Sequence, residues 1–279
     1  MDPELPVDAI RLKGVGVAFG GGVVYSIAGV GVACALVEAG IPVVAVAGTS
    51  GGALVGAAVA AGMRPWELRE IGLDMDWSDL VRFTPGKMGL LNGEPIASFV
   101  ENTTGCRTFE ELRMPFTAVA TDLLRGEEIR FTTGPLGLAV QSSCAIPGLF
   151  QPVKSGEMLL VDGGISANLP AEALRAHRPA VSVAVDVLTL SDQYQGPLRT
   201  AAHIVIKAYH TMVRREIEFQ ERQADFVVMP NVSGLSVLNF RDAPEIIARG
   251  EEATRPLIPR IRALLADRLA GLDVLPWSV

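Results

Sequence analysis

An α/β fold on a mainly parallel central sheet is predicted for this 279-residue sequence, and three observations lead to it. Short apolar runs at Gly14–Phe19 and Val43–Ala47 each end in a glycine-rich turn, Gly20-Gly21-Gly22 and Gly48-Thr49-Ser50-Gly51-Gly52. Each turn leads into a helical pattern of small and apolar residues. Gly14–Val37 and Ala39–Met63 carry no charged residue, as expected where strands are covered on both faces of a parallel sheet.

Those uncharged runs also pass the rough ~18-residue length test for a spanning helix. Their glycine density, with Gly20-Gly21-Gly22 and Pro42 inside them, interrupts any continuous helix, so buried strand–turn–helix segments are expected instead. The acidic, proline-bearing start Met1–Pro6 is unlike the positive region of a signal peptide. A soluble, cytoplasmic protein is the expectation. The net charge of −7, with no cluster of Lys and Arg, disfavours nucleic acid as a partner. Cys34, Cys106 and Cys144 are too far apart for a metal cluster, and an odd count does not make a disulfide framework. Cys34 and Cys144 sit in apolar stretches and read as small core residues.

In chain order, the first strand Gly14–Phe19 is followed by a helix from Ser26 to Ala39, with Gly40 as its cap and Pro42 beyond. The second strand, Val43–Ala47, feeds a small-residue helix from about Ala53 to Ala61, closed by Gly62. A right-handed crossover of this length makes the two strands parallel neighbours, so both glycine turns fall at the carboxyl end of one sheet edge. Residues 66–106 mix Trp66, Trp77, Leu80, Phe83 and Leu91 with turn signals at Thr84-Pro85-Gly86 and Asn92-Gly93. That segment reads either as a cap over an apolar substrate or as helices packed on the sheet. Strands are then expected at Phe116–Thr121, Glu128–Phe131, Glu157–Val161, Val181–Val187 and Phe226–Met229. Helices are expected at Leu136–Ser143, Leu198–Arg222, and Asp242–Leu269 with a break at Gly250. No repeat or linker divides the chain, so residues 1–279 are read as one domain with its core at about 13–265.

Gly48-Thr49-Ser50-Gly51-Gly52 contains Gly-x-Ser-x-Gly, the pattern of a serine on a sharp strand-to-helix elbow. Ser50 is the candidate nucleophile, and Gly48 and Gly52 remove the Cβ atoms that would crowd such a turn. The helix behind it aims its N-terminus at any negative charge developing there. The alternative is a tight or anion-binding βα turn. Gly20, Gly21 and Gly22 offer consecutive unhindered N–H donors for an oxyanion hole. No Gly-Lys-Ser/Thr follows them, which excludes a Walker-type loop, and Gly14, Gly16 and Phe19 lack the last glycine of the dinucleotide fingerprint.

A serine hydroxyl needs a base within hydrogen-bond reach. Asp162 ends an apolar strand and precedes Gly163-Gly164, but Asp122, Asp186 and Asp225 also end apolar runs and compete with it. A Ser–acid–His order is open to His177, His203 or His210. His177 reads as a connector ahead of Arg178-Pro179, and His203 and His210 as packing or surface residues on one helix face. No metal site or cofactor is indicated.

Five pieces in order then resemble the patatin-like phospholipase family: Gly20-Gly21-Gly22; Gly48-Thr49-Ser50-Gly51-Gly52-Ala53-Leu54; Ala118-Val119-Ala120-Thr121-Asp122; Ala145-Ile146-Pro147-Gly148; and Asp162-Gly163-Gly164 followed by Asn168-Leu169-Pro170. The resemblance runs from about Lys13 to Pro170, with a weaker echo to Leu265. It implies a three-layer α/β/α fold and a Ser50–Asp162 dyad without histidine, with Gly20–Gly22 as oxyanion loop. It also implies calcium-independent hydrolysis of lipid acyl esters (phospholipid, lysophospholipid or acylglycerol), and peripheral contact with a membrane surface is expected for an enzyme with such substrates. The family's loop continues with a small residue, Arg or Lys, then Gly, where this chain has Val23, Val24 and Tyr25. A short-chain esterase or acyltransferase using Ser50, and a weakly catalytic lipid-binding protein, are the alternatives.

Overall fold

The computed structural model describes residues 10, 12–86, 88–190 and 201–270. The lead-in Met1–Pro6 and the first residues of the helix expected from Leu198 lie outside them. The first half begins with β1 (Leu12–Phe19), a 3-10 turn at Val23–Ile27, α1 (Ala28–Glu38), β2 (Val43–Thr49) and α2 (Gly51–Ala60). Both uncharged runs are thus strand–turn–helix segments, and their side chains are mostly buried. β1 and β2 pair in parallel, Phe19 opposite Gly48, which brings the two glycine turns side by side.

Next come α3 (Pro65–Asp74), α4 (Trp77–Leu80), a hairpin of β3 (Arg82–Gly86) and β4 (Gly89–Asn92), and α5 (Glu94–Thr104). Thr84-Pro85-Gly86, expected as a turn, lies within β3; the chain reverses between Gly86 and Gly89 instead. Asn92-Gly93 starts α5, with Asn92 Oδ1 accepting from the Glu94 N–H at 2.8 Å.

β5 (Phe116–Asp122), β6 (Glu127–Phe131), α6 (Leu136–Ser143), β7 (Val153–Ser155), β8 (Met158–Asp162), α7 (Gly164–Ala167), α8 (Ala171–Arg175) and β9 (Pro179–Val185) follow. α9 (Ala201–Glu221), β10 (Phe226–Val228), α10 (Ala243–Thr254) and α11 (Ile258–Ala270) complete the described chain. The three-residue β7 is too short to show a period in sequence and was not expected. One sheet runs β10-β9-β1-β2-β5-β8-β7, with β6 also on β5, parallel from β10 to β5 and antiparallel beyond.

The direction of travel explains the three layers. From β1 the chain crosses to the parallel strands β2 and β5 in one direction, and from β9 it crosses to the parallel β10 in the other. Right-handed crossovers made in opposite directions put their helices on opposite faces. α1 and α2 therefore cover one face, while α7, α8 and α9 cover the other, and α10 returns to pack on α1.

Gly250 does not break the last helical pattern. α10 passes through it, and the interruption falls at Arg255–Leu257, a 3-10 turn containing Pro256. The glycine serves a close crossing: a Cβ at Gly250 would collide with the Ala28 carbonyl of α1, and one at Gly31 with the Ile247 carbonyl of α10.

Candidate active site

The pairing of β5 brings the distant parts of the site together. A strand has two edges, and β6 occupies one of them along Ala118–Asp122. β2 pairs with Phe116–Val119 and β8 with Ala120–Asp122, so both must share the other edge. They meet there end to end. Thr49 closes β2 opposite Val119, and Asp162 closes β8 opposite Ala120, the next residue. The approach is close enough that a Cβ on Gly163 would stand 3.1 Å from Thr49 Cγ2.

Ser50 sits at this junction with φ 55° and ψ −130°, a conformation L residues rarely adopt. Such backbone costs on the order of 1–3 kcal/mol and persists only where its surroundings over-determine it. Here the Ser50 N–H donates to Ser143 Oγ at 2.8 Å, and that hydroxyl donates to the Val119 carbonyl at 2.5 Å. Gly48 and Gly52 are also required, since a Cβ on Gly48 would meet the Gly52 carbonyl at 2.5 Å and one on Gly52 would strike the Phe19 carbonyl. α2 begins at Gly51, so its first N–H groups open beside the Ser50 side chain. Ser143 was not singled out from sequence. The only trace was a helix end, Ser142-Ser143, just before Ala145-Ile146-Pro147-Gly148.

The glycine loop faces the serine. A Cβ on Gly21 would lie 3.0 Å from Ser50 Cβ. Of the three glycines, Gly20 donates its N–H to Val185 O and Gly21 to Asn168 O, both at 3.0 Å. The N–H groups of Gly22 and Val23 have no acceptor among the described residues. Val23 itself has φ 53°, a genuine outlier for a β-branched residue. Asn168 grips the Gly21 peptide from both sides, since its Nδ2 donates to Gly21 O at 3.1 Å while its own carbonyl takes the Gly21 N–H. That clamp was not anticipated from sequence.

Asp162 is 1% exposed, and its Oδ1 accepts from the Gly164 N–H at 2.8 Å. Its N–H donates to Ala145 O at 2.9 Å, fastening the Ala145–Gly148 segment to the end of β8. The Cys144 thiol is pushed well above its ordinary range by burial and then by the charge of Asp162. Cys144 and Ser50 line the same cavity.

The rival aspartates do other work. Asp122 is fully buried and binds the N–H groups of Leu124 and Leu159 at 3.2 Å and Arg125 at 2.8 Å. Burial acts to raise its pKa, yet Arg125 and those N–H donors hold it below its ordinary value. Asp186 closes a turn by accepting from Leu188 at 2.8 Å and Thr189 at 3.2 Å, and Asp225 pairs with Arg268 at 2.8 Å. His177 contacts Thr117 Oγ1 at 2.8 Å, and its neighbour Arg178 accepts from Leu12, which puts it at the opposite, amino end of the sheet. His203 and His210 lie in α9, with side chains outside the described residues.

An almost wholly apolar cavity opens from Ser50 between α2 and the 65–104 segment, with about 1030 Å³ of space including its mouth. Leu54 and Val55 of α2 face Leu68, Met75, Ile96 and Phe99 across it. Leu238, 57% exposed, stands at the mouth with Trp77, whose Nε1 donates to Leu238 O at 2.8 Å. Val24, where the family has a cation, is fully buried, and Tyr25 is anchored by its hydroxyl to Leu235 O at 2.7 Å. Among the described residues no group of three or more His, Cys, Asp or Glu side chains could hold a metal. None of the described helices is long and apolar enough to cross a membrane.

The fold is similar to that of VipD from Legionella pneumophila, at TM-score 0.59 and 16% identity over 95% of this chain and 67% of that one. An uncharacterised NTE-family protein of Mycobacterium tuberculosis is 35% identical over 215 residues, which cover 74% of this chain and 59% of the relative. Mouse patatin-like phospholipase domain-containing protein 7 is 31% identical over 183 residues, 62% of this chain and 13% of that protein. The chain therefore spans well under two thirds of the length of these curated relatives. The family model for patatin-like phospholipase matches residues 17–175, which include both glycine turns, Ser50 and Asp162. This chain belongs to the patatin-like phospholipase family.

Proposed function

We propose that this chain is a serine acyl hydrolase that cleaves carboxylic esters of lipids through Ser50 and Asp162, without calcium. The end-to-end meeting of β2 and β8 on β5 supports the reading, because the strained turn at Ser50, which lines the cavity, follows one strand end and the buried Asp162 closes the other, one residue apart in register. In the first step Ser50 Oγ attacks the ester carbonyl carbon, and Asp162 takes the hydroxyl proton. The tetrahedral oxyanion then collapses, and Asp162 passes the proton to the departing alkoxide. Water, deprotonated by the same carboxylate, attacks the acyl-enzyme; the acyl C–Oγ bond breaks, Asp162 returns the proton to Ser50 Oγ, and the fatty acid leaves. The glycine loop serves as oxyanion hole. Within it the Gly22 and Val23 N–H groups are the donors, because those of Gly20 and Gly21 are already committed. The Gly51 N–H and the α2 N-terminus add to them.

The acyl chain occupies the apolar cavity, and residues 66–106 act as its cap. A lipid ester is favoured over a short-chain one because such a cavity gains about 0.8 kcal/mol per buried methylene. Phe83, Met88 and Leu90, at 75%, 63% and 49% exposed on the β3–β4 hairpin, form the contact with a lipid surface. The hairpin adjoins the cavity wall, since the Leu90 and Leu91 N–H groups donate to Leu149 O at 2.9 and 3.0 Å.

A fluorophosphonate, which traps activated serines, tests the reading on wild type, Ser50→Ala and Asp162→Asn, alongside hydrolysis of esters of increasing chain length. The expected result is one adduct on Ser50, absent in Ser50→Ala and suppressed in Asp162→Asn, with kcat/KM rising with chain length. A folded wild type that binds lipid but shows no Ser50-dependent labelling or turnover would be a lipid-binding protein. Turnover that falls with chain length would make it a short-chain esterase.

A further inference from the structure

The turn after Asp162 is stitched to both halves of the site. Thr49 Oγ1 donates to the Ala167 carbonyl at 2.7 Å, tying that turn to the serine elbow. One residue on, Asn168 grips Gly21 as described, with its Oδ1 2.7 Å from where a Gly21 Cβ would be. Asn168 is 3% exposed, so its own N–H also needs an acceptor in the protein. Glu216 of α9 supplies it, with Oε2 2.9 Å from the Asn168 nitrogen. The other carboxylate oxygen, Oε1, is buried without a hydrogen-bond partner among the described residues.

From this geometry we infer that Glu216 is a positioning residue for the oxyanion loop, acting through Asn168 on Gly21. Glu216 Oε2 is the acceptor that the buried Asn168 N–H reaches, so the segment that holds Gly21 from both sides is itself fixed by that carboxylate. The groups facing it are few. The Asn168 and Leu169 N–H groups come from the turn, Gln220 from its own helix, and Glu128 from β6, itself paired with Arg130. Burial, opposed by the Asn168 N–H and Gln220 and aided by Glu128, lifts its pKa to about 7. The ionised form is the stronger acceptor for the Asn168 N–H, so the clamp tightens as Glu216 loses its proton.

The inference rests on the hydrolase reading only for its effect on rate; the clamp itself is read separately. Wild type, Glu216→Ala and Glu216→Gln would be compared by amide hydrogen exchange of peptides covering residues 16–25 and 43–49, and by steady-state hydrolysis of a p-nitrophenyl ester. Glu216→Ala should speed exchange at residues 20–22 about tenfold while leaving 43–49 unchanged, because only the loop is released. It should lower kcat about tenfold with KM nearly unaltered, the mark of an interaction felt in the transition state. Glu216→Gln, which keeps an acceptor oxygen, should restore most of both. Loop exchange in Glu216→Ala equal to wild type would overturn the inference, as would exchange raised equally in both segments. Absence of Ser50-dependent turnover in wild type would remove the hydrolase reading and leave loop exchange to decide the clamp.

Discussion

Thr49 and Asp162 terminate two strands that converge head to head along one edge of β5, one residue apart in register, and Ser50 follows directly on the first of them. Behind them Ser143 closes the gap, bonding the Ser50 N–H at 2.8 Å and the Val119 carbonyl of β5 at 2.5 Å. The elbow is thus held from three sides: by Ser143, by the glycine loop and by the turn that follows Asp162. This arrangement makes the strained Ser50 backbone a property of the assembled sheet rather than of the Gly-x-Ser-x-Gly segment alone.

Ser143→Ala would leave the buried Ser50 N–H and the Val119 carbonyl without their shared partner. A loss of ~1–3 kcal/mol in unfolding free energy is expected, with slower fluorophosphonate labelling at Ser50. Urea unfolding followed by timed labelling checks both. Unchanged labelling would show that the elbow is set by its glycines alone.

Gly250→Ala should destabilise the crossing of α10 on α1, because the new methyl meets the Ala28 carbonyl. Overpacking of this kind typically costs ~1–3 kcal/mol. A lower urea midpoint with an unaltered slope is the expected observation. A gain in stability, as helix propensity alone would give, would mean the helices separate freely.

Phe83→Ser and Leu90→Ser remove two exposed apolar side chains from the hairpin. Each should lower sedimentation with phosphatidylcholine vesicles roughly tenfold, the equivalent of losing about 1.4 kcal/mol of burial. Hydrolysis of a short, water-soluble ester should stay at wild-type rate. Equal vesicle binding in wild type and variants would move the lipid contact to another surface.

Glu216 also gives stability a defined pH dependence. Its folded-state pKa is raised from 4.5 to about 7, so the folded protein keeps a proton that the unfolded chain releases between those values. Stability from this group is therefore highest below about pH 4.5 and falls as the pH rises to about 7. The size is on the order of 2 kcal/mol, since partial exposure screens the full shift. Glu216→Gln should flatten that part of the profile in denaturant unfolding between pH 4.5 and 7. An identical profile in wild type and variant would show that Glu216 titrates at its ordinary value.

Much of this protein was determined by local sequence. The uncharged runs with their glycine turns specify β1, α1, β2 and α2, because buried parallel strands and small-residue helices need no polar partner outside their own backbone. The Gly-x-Ser-x-Gly elbow and the five ordered pieces sufficed to identify the family, with Ser50 and Asp162 as candidate residues. Tertiary structure decided what sequence spacing does not encode. The antiparallel entry of β8 onto the β2 side of β5 is a choice of strand edge, and it selected Asp162 over Asp122, Asp186 and Asp225 for the serine's neighbourhood. It also settled which glycine N–H groups are already bonded, by bringing Val185 and Asn168 to Gly20 and Gly21. What Ser143, Asn168 and Glu216 bond was not legible in sequence for the same reason, since each acts on backbone distant in the chain and reached only once the strands have paired.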